Sequence, residues 1–579
     1  MSINVRVYEN GDHTCLVWLP ANSKPIPNCR GFTIRRVLNG AEDFLHGFVG
    51  FSDQDKLDPA NPWKFPLQRF MWWDYDVKPG DRVQYSVIPV VGKDRNSLAP
   101  DAANASALTP QIEVSGQATP HLGVYFNKGI VAAQWVSRAL AAQGKNARIA
   151  DVIADPQNPL RVRLAGLLGR QILSLLRDIK EKGGEVYAAL HELNDPELVA
   201  ALTALGGRCH LILGNGAFEP PDQDANRKIR NDLNGKVDLF SRMVSLGHRA
   251  HNAFAVFCDS DGQPQRVLTG STEWTMAGLC TQANNGLVID DPRVAQHFRD
   301  EWEQIRNAGN SYPAALAQFN STPKVFPVDG GEITQWFAPT AAGQELAFAR
   351  ELIGAAKDGI LFMLPGPEQL APAARPEQSS ILQQILARVD DRASPDLYVR
   401  GIVNHPIAPL VGVDRAAGAS PLTLLSGAGR VPQRLGQEAV VPGNIKTAFH
   451  NWQAENDGDG LAAHSKVIVL DPFGANPVVM TGSHDFSEEA SRARDGSLTI
   501  VQGNAPLAAA YAVNIIAIYQ SYHWNAYVEA HRQDPQVWHG LVDTDGWQNG
   551  YLDPASPERK EIRFWLGDHA PAGSAPTPG

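Results

Sequence analysis

One order of elements occurs twice in this chain, and few folds accommodate such a duplication. The stretch "LAGLLGRQILSLLRDIKEKG" (164–183) has apolar residues at helical spacing, and Gly183–Gly184 stop it before the strand-like "EVYAAL". A second helical segment, "DPELVAALTALGG", then leads into "CHLILGN". Later, "QELAFARELIGAAKDG", "ILFMLPG", "SSILQQILARVDDR" and "DLYVRGIV" repeat the same sequence of helix and strand. In each case a long loop follows, and then a strand that begins with a histidine. The repetition predicts an α/β fold of two related halves, residues 113–325 and 326–565, packed as a pseudo-dimer on one chain.

Residues 1–112 read differently. Short apolar alternations ("INVRVY", "CLVWLP", "GFTIRRV", "RVQYSVIPVVG") are broken by Pro, Gly and Asn turns, which predicts a small all-β sandwich. By pattern this segment resembles a fibronectin type III or immunoglobulin-like module. Trp18, Trp72 and Trp73 offer an aromatic patch for a sugar or lipid, but filling the sandwich core is the simpler use of them. The Ser/Ala/Asn/Pro-rich stretch 93–118 reads as a linker, and 566–579 as a disordered tail. Five cysteines form no CxxC pair, the expectation for buried thiols in a reducing compartment. The first residues carry neither a basic nor an apolar signal region, and no run is long enough to span a bilayer. A cytoplasmic protein, or one exported without a cleavable signal, is therefore expected.

The chemistry concentrates where the two halves are most alike. In "HSKVIVLD", His464, Lys466 and Asp471 are followed by Gly482–Ser483; in "HNAFAVFCD", His251, Ala253 and Asp259 are followed by Gly270–Ser271. The His-to-Gly spacing is 18 residues in one and 19 in the other, with the extra residue before the aspartate. Strand periodicity places His464 and Lys466 on one face, and the small Gly-Ser pair lets a neighbouring segment approach that face. Two imidazoles, an ammonium and hydroxyl donors suit attack on a phosphodiester. One histidine attacks phosphorus, the other protonates the leaving oxygen and then activates water, and Lys466 with Ser271 and Ser483 neutralises the phosphoryl oxygens. Asp259 or Asp471 would orient a histidine or balance its charge.

With these residues the chain resembles the phospholipase D superfamily, whose signature HxK(x)4D with a downstream GSxN is present twice. The resemblance covers roughly residues 119–550. It implies phosphodiester hydrolysis through a phosphohistidine, without metal or other cofactor, and a monomer carrying both half-sites. It also favours His251 as the nucleophile and His464 as the acid. Three positions depart from the signature. Ala253 replaces the first lysine, and Glu273 and Asp485 replace the two asparagines in "GSTEWT" and "GSHDFS". His484, inside the second turn, is a further candidate for substrate contact. His248 reads as a solvated loop histidine, and Arg242 and Arg249 as surface cations.

Three functions remain open at this point. A phospholipid head-group phosphodiesterase is favoured by the formal charge of −11, with the loop 405–445 as an apolar rim and peripheral membrane contact implied. A nuclease using the same chemistry is disfavoured by that charge and by the lack of a dense basic patch. A catalytically degenerate binding module would account for Ala253, Glu273 and Asp485.

Overall fold

A computed structural model of the chain describes residues 2–567 apart from 130–147, 218–223, 365–379, most of 404–463, 531–540 and single positions within 48–59 and 390–395. The loop 405–445, the tail beyond residue 567 and the side chain of Trp524 lie outside the described residues, except for two short strands within that loop. The chain forms two compact units, one containing residues 1–116 and the C-terminal segment after 526, the other the remainder up to residue 526.

The first unit contains two antiparallel sheets. One has three strands, Ile3–Glu9, Thr14–Pro20 and Met71–Asp74. The other has five, built around Cys29–Leu38 and Arg82–Val91. Trp18 and Trp73 are buried, and Trp18 meets Phe32 edge-on at 5.5 Å, so these tryptophans serve the core. The linker expected over 93–118 is instead part of this unit. The Ser106 and Thr109 amides donate to the Val87 and Tyr85 carbonyls, and a short strand, Ile112–Glu113, pairs with Arg82–Val83.

The C-terminal helix Pro557–Leu566 corrects the boundary drawn at residue 565. Its Ile562, Phe564 and Trp565 are buried, with the Trp565 ring 5.8 Å from Tyr8 and 6.2 Å from Trp73. The Gln548 carboxamide is bonded in both directions to the backbone of Ile26. Apolar burial thus returns this segment to the first unit, where it fills space that a short two-sheet domain leaves open.

In the second unit the repeated order of elements becomes a repeated sheet order. Between its edge strands, the first half runs across the sheet Cys209–Gly214, Glu185–Leu190, Ala253–Cys258, Pro264–Gly270, Asn285–Ile289, Leu122–Phe126. The second runs Tyr398–Val403, Gly359–Leu364, Val467–Leu470, Val478–Gly482, Arg494–Gln502, Gly331–Ala338. In both, the first two strands are parallel and the motif strand is antiparallel to its neighbours on either side. The amphipathic helix Pro159–Lys182, capped by the Asn158 side chain and ended by Gly183 at φ 76°, buries Leu164, Leu168, Ile172 and Leu175 in the core that contains Val186 and Leu190. Gln344–Ala355 plays the matching part in the second half, through Leu346, Ala349 and Ile353.

The halves exchange contacts across this unit. Arg249–Ala250 pair in parallel with Arg494–Asp495, while the His464 and Ser465 amides donate to the Ala283 carbonyl at 3.1 and 2.8 Å. Arg242 is not the surface cation expected. It is fully buried and forms a two-pronged pair with Asp495, at 2.5 and 2.9 Å. Removing one member of such a pair leaves an uncompensated buried charge. Arg242→Ala should therefore lower unfolding stability by about 3–5 kcal/mol, whereas exposed Arg249→Ala should stay within about 0.5 kcal/mol of wild type, both read from urea midpoints.

Candidate functional site

The two Gly-Ser turns set the floor of the site. At Gly482, φ is 152° and a Cβ would lie 2.0 Å from the Ser497 carbonyl oxygen; at Gly270, φ is 136° and a Cβ would lie 2.4 Å from the Asn285 carbonyl oxygen. Only glycine lets the next strand come this close. The approach puts Asn284 and Asn285 under the second motif. Asn285 Oδ1 accepts from Thr481 Oγ1 and Tyr511 Oη, each at 3.0 Å, so a first-half amide anchors a strand and a helix of the second half.

On this floor the motif side chains meet. His251, His464 and Lys466 lie in the extended segments just before their strands, which begin at Ala253 and Val467. Asp485 joins them: its carboxylate is 3.5 Å from His251 Nδ1 and 3.5 Å from Lys466 Nζ, and it is also paired with Arg494. Glu273 Oε1 lies 3.6 Å from His251 Nε2. His464 Nδ1 lies 3.2 Å from the Ser271 carbonyl oxygen and 3.1 Å from Asn284 Oδ1. Both partners are acceptors, so Nδ1 carries the proton and Nε2 keeps its lone pair.

Burial dominates the proton affinities of the two histidines. It pushes the His251 imidazole down to about 4, with the Lys466 charge acting in the same direction and Asp485 opposing. It pushes His464 down to about 3, again helped by Lys466. For Asp485, burial alone would raise the pKa, but His251, Lys466 and Arg494 outweigh it and hold the carboxyl well below the usual range. At neutral pH the site holds two neutral imidazoles and two ionised carboxylates, Glu273 and Asp485.

Five residues expected at the site are used elsewhere. Asp471 accepts the backbone amides of Lys357, Asp358 and Gly359 at 2.7–3.1 Å and so ties off the far end of its strand. Seven residues of extended chain separate it from His464 by on the order of 20 Å. Asp259 closes the hairpin after its strand, accepting from the amides of Asp261 and Gln263 and from the Gln265 carboxamide. Neither aspartate orients a histidine. Ser483 Oγ accepts from the Ser497 amide, and Ser271 Oγ donates to Asn284 Oδ1 at 2.9 Å, so both hydroxyls hold loops in place. The His484 ring turns inward; Nδ1 accepts the Phe486 amide and Nε2 faces buried Glu345 at 3.4 Å. The carboxylates Glu273 and Asp485, by contrast, do stand at the centre.

Sequence reasoning missed His191, Asn284 and Arg494. His191 follows the strand Glu185–Leu190, whose Leu190 is in register with Ala253, and its ring meets that of His251 edge-to-face at 4.7 Å. A signal for the other two was present. "NNG" and "RDG" end 16 and 14 residues after the motif glycines Gly270 and Gly482.

No protein-family model matches the chain, and no curated protein matches it. Among solved structures, it is similar to phosphatidylserine synthase of Haemophilus influenzae Rd KW20, with 13% identity, 61% of this chain and 84% of that one covered, and a TM-score of 0.38. Yeast tyrosyl-DNA phosphodiesterase shares 9% identity over 56% of this chain and 84% of its own, with a TM-score of 0.29. Nuc of Salmonella typhimurium, a phospholipase D family member, shares 18% identity over 24% of this chain and 90% of its own, with a TM-score of 0.20. These likenesses are too distant to bear on the chemistry of the site.

The histidines make a pH prediction. Their folded pKa values of about 4 and 3 lie below the ordinary 6.5, so the folded protein binds fewer protons than the unfolded chain. Their contribution to stability is complete above pH 6.5 and is lost as pH falls through the folded values. Urea midpoints measured from pH 7 to pH 4 should decline, and His251→Gln/His464→Gln should flatten that decline. Parallel curves would contradict the assignment.

Proposed function

We propose that this chain is a phosphodiesterase of the phospholipase D type, acting on a phospholipid head-group phosphodiester through a covalent phosphohistidine. One observation carries the reading. His251 from one half, and His464 with Lys466 from the other, converge on a buried centre linked by Asp485.

The geometry favours a different division of labour from the one the family resemblance implied. His464 has its proton fixed on Nδ1 by Ser271 and Asn284, which leaves Nε2 as the free nucleophile. His251 Nε2 is instead faced by Glu273, which suits a proton-bearing ring. In this reading the His464 Nε2 lone pair attacks phosphorus while Lys466 balances the non-bridging oxygens. Neutral in the free site, His251 takes up a second proton between the Glu273 and Asp485 carboxylates as the substrate's charge enters; as the bond to the leaving oxygen breaks, that oxygen takes this proton and the ring returns to its neutral form. The same ring then removes a proton from water, which attacks phosphorus and releases His464. Asp485 keeps Lys466 and His251 in place and positions both rather than repelling the phosphate, because its charge is already balanced.

The formal charge of −11 supports a lipid head group over a polyanionic strand. The two antiparallel sheets of residues 1–116 support a fibronectin III- or immunoglobulin-like module that brings the chain to its substrate surface.

Head-group release from mixed phospholipid micelles is the test. His464→Asn and Lys466→Ala should each lower turnover by about 10²-fold or more. Quenching in alkali, where phosphohistidine survives, should leave phosphate on His464. Phosphate on His251 would reverse the roles. Cutting of DNA or RNA without head-group release would establish a nuclease, and inertness toward both would leave a binding module.

A further inference from the structure

We propose that the first half-site binds a divalent metal ion of the zinc class through His191, His251 and Glu273. His191 and His251 are buried and the Glu273 side chain is nine-tenths buried, and each offers a ligand atom within 4.8 Å of the others. Tetrahedral zinc with bonds of about 2.0–2.2 Å needs ligand atoms roughly 3.4 Å apart. His251 Nε2 and Glu273 Oε1, at 3.6 Å, already meet that spacing.

The surroundings prepare each ligand. His191 Nδ1 lies 3.0 Å from the Ala250 carbonyl oxygen, to which it donates, so Nε2 is left with a lone pair. His251 Nδ1 lies 3.5 Å from the Asp485 carboxylate, the arrangement by which an outer carboxylate fixes a metal-bound imidazole. Glu273 Oε2 is buried with no hydrogen-bond partner. A solitary acceptor of this kind, on a side chain 90% buried, is expensive unless a cation meets it.

Charge points the same way. In the second half, Lys466 and Arg494 face Asp485. In the first, Ala253 stands in the position of Lys466, and among the described residues the only ion pair of Glu273 is with a histidine. A metal ion would supply the positive charge that Ala253 does not. Three protein ligands leave a further position for water or a phosphoryl oxygen, the pattern of an open rather than a sealed zinc site.

Only the purpose of this ion rests on the phosphodiesterase reading; its binding does not. With the ion bound, His251 Nε2 serves as a ligand instead of a proton donor. The departing oxygen then leaves with its bonding pair beside the cation and takes its proton from water, and the hydroxide so formed attacks phosphorus, breaking the bond to His464 Nε2.

The test uses the full chain, stripped with chelator, dialysed and titrated with Zn²⁺ alone by calorimetry, with metal content measured after gel filtration. About one ion per chain is expected, and Co²⁺ loading should give the visible absorption of four-coordinate cobalt. His191→Ala and the isosteric Glu273→Gln should each weaken binding by about 100-fold or more and abolish that absorption. Ala253→Lys, which restores a fixed ammonium, should also lose the metal while making head-group release insensitive to chelator. Failure of the folded wild type to bind stoichiometrically, or binding that survives both ligand substitutions, overturns the site. Zinc binding without turnover of any phosphodiester would retain the site and sink the enzymatic reading. Turnover without zinc binding would do the reverse.

Discussion

The Asp485 carboxylate is the contact on which the site depends. It reaches His251 of the first half and Lys466 and Arg494 of its own, so one ionised group holds both halves to a shared centre. Its ionisation at that depth is possible because two fixed cations face it, and their burial is possible because it faces them. The backbone cooperates. The segment before His251 pairs with Arg494–Asp495, and the amides at His464 and Ser465 are held by Ala283. Each motif segment is thus anchored to the opposite half.

The duplication is a duplication of strands, not of chemistry. Sheet order is repeated almost strand for strand, yet the two histidines sit in unlike surroundings. His464 is held by a carbonyl and an amide oxygen, with an ammonium two residues away. His251 lies between two carboxylates and beside a second imidazole. The first arrangement presents a lone pair; the second gathers protons or a cation. Ala253, which reads as a defect against the repeat, is the substitution that leaves room for that second role.

Much of this was legible in the sequence because it depends on periodicity. Helices with apolar faces, their Gly stops, and the spacing from histidine to Gly-Ser fix which strands lie side by side. What spacing hides is where a strand ends. Asp471 looks like part of a motif but sits at the opposite end of its strand, bonded to the Lys357–Gly359 backbone. The serines of the Gly-Ser turns likewise read as donors to substrate, although their hydroxyls are consumed by the turns themselves. His191 was invisible because its link to His251 runs through strand pairing between segments some sixty residues apart in the chain. The stretch 93–118 was misread because its small polar residues, which suggest a linker, bond to a strand edge instead.

The central claim is that one asymmetric centre presents phosphorus to Nε2 of His464 beside Lys466. A crystal structure with vanadate tests it most directly. Vanadium is expected bonded to His464 Nε2, with an equatorial oxygen within hydrogen-bonding distance of Lys466 Nζ. Vanadium bonded to His251, or bound away from both histidines, would contradict it.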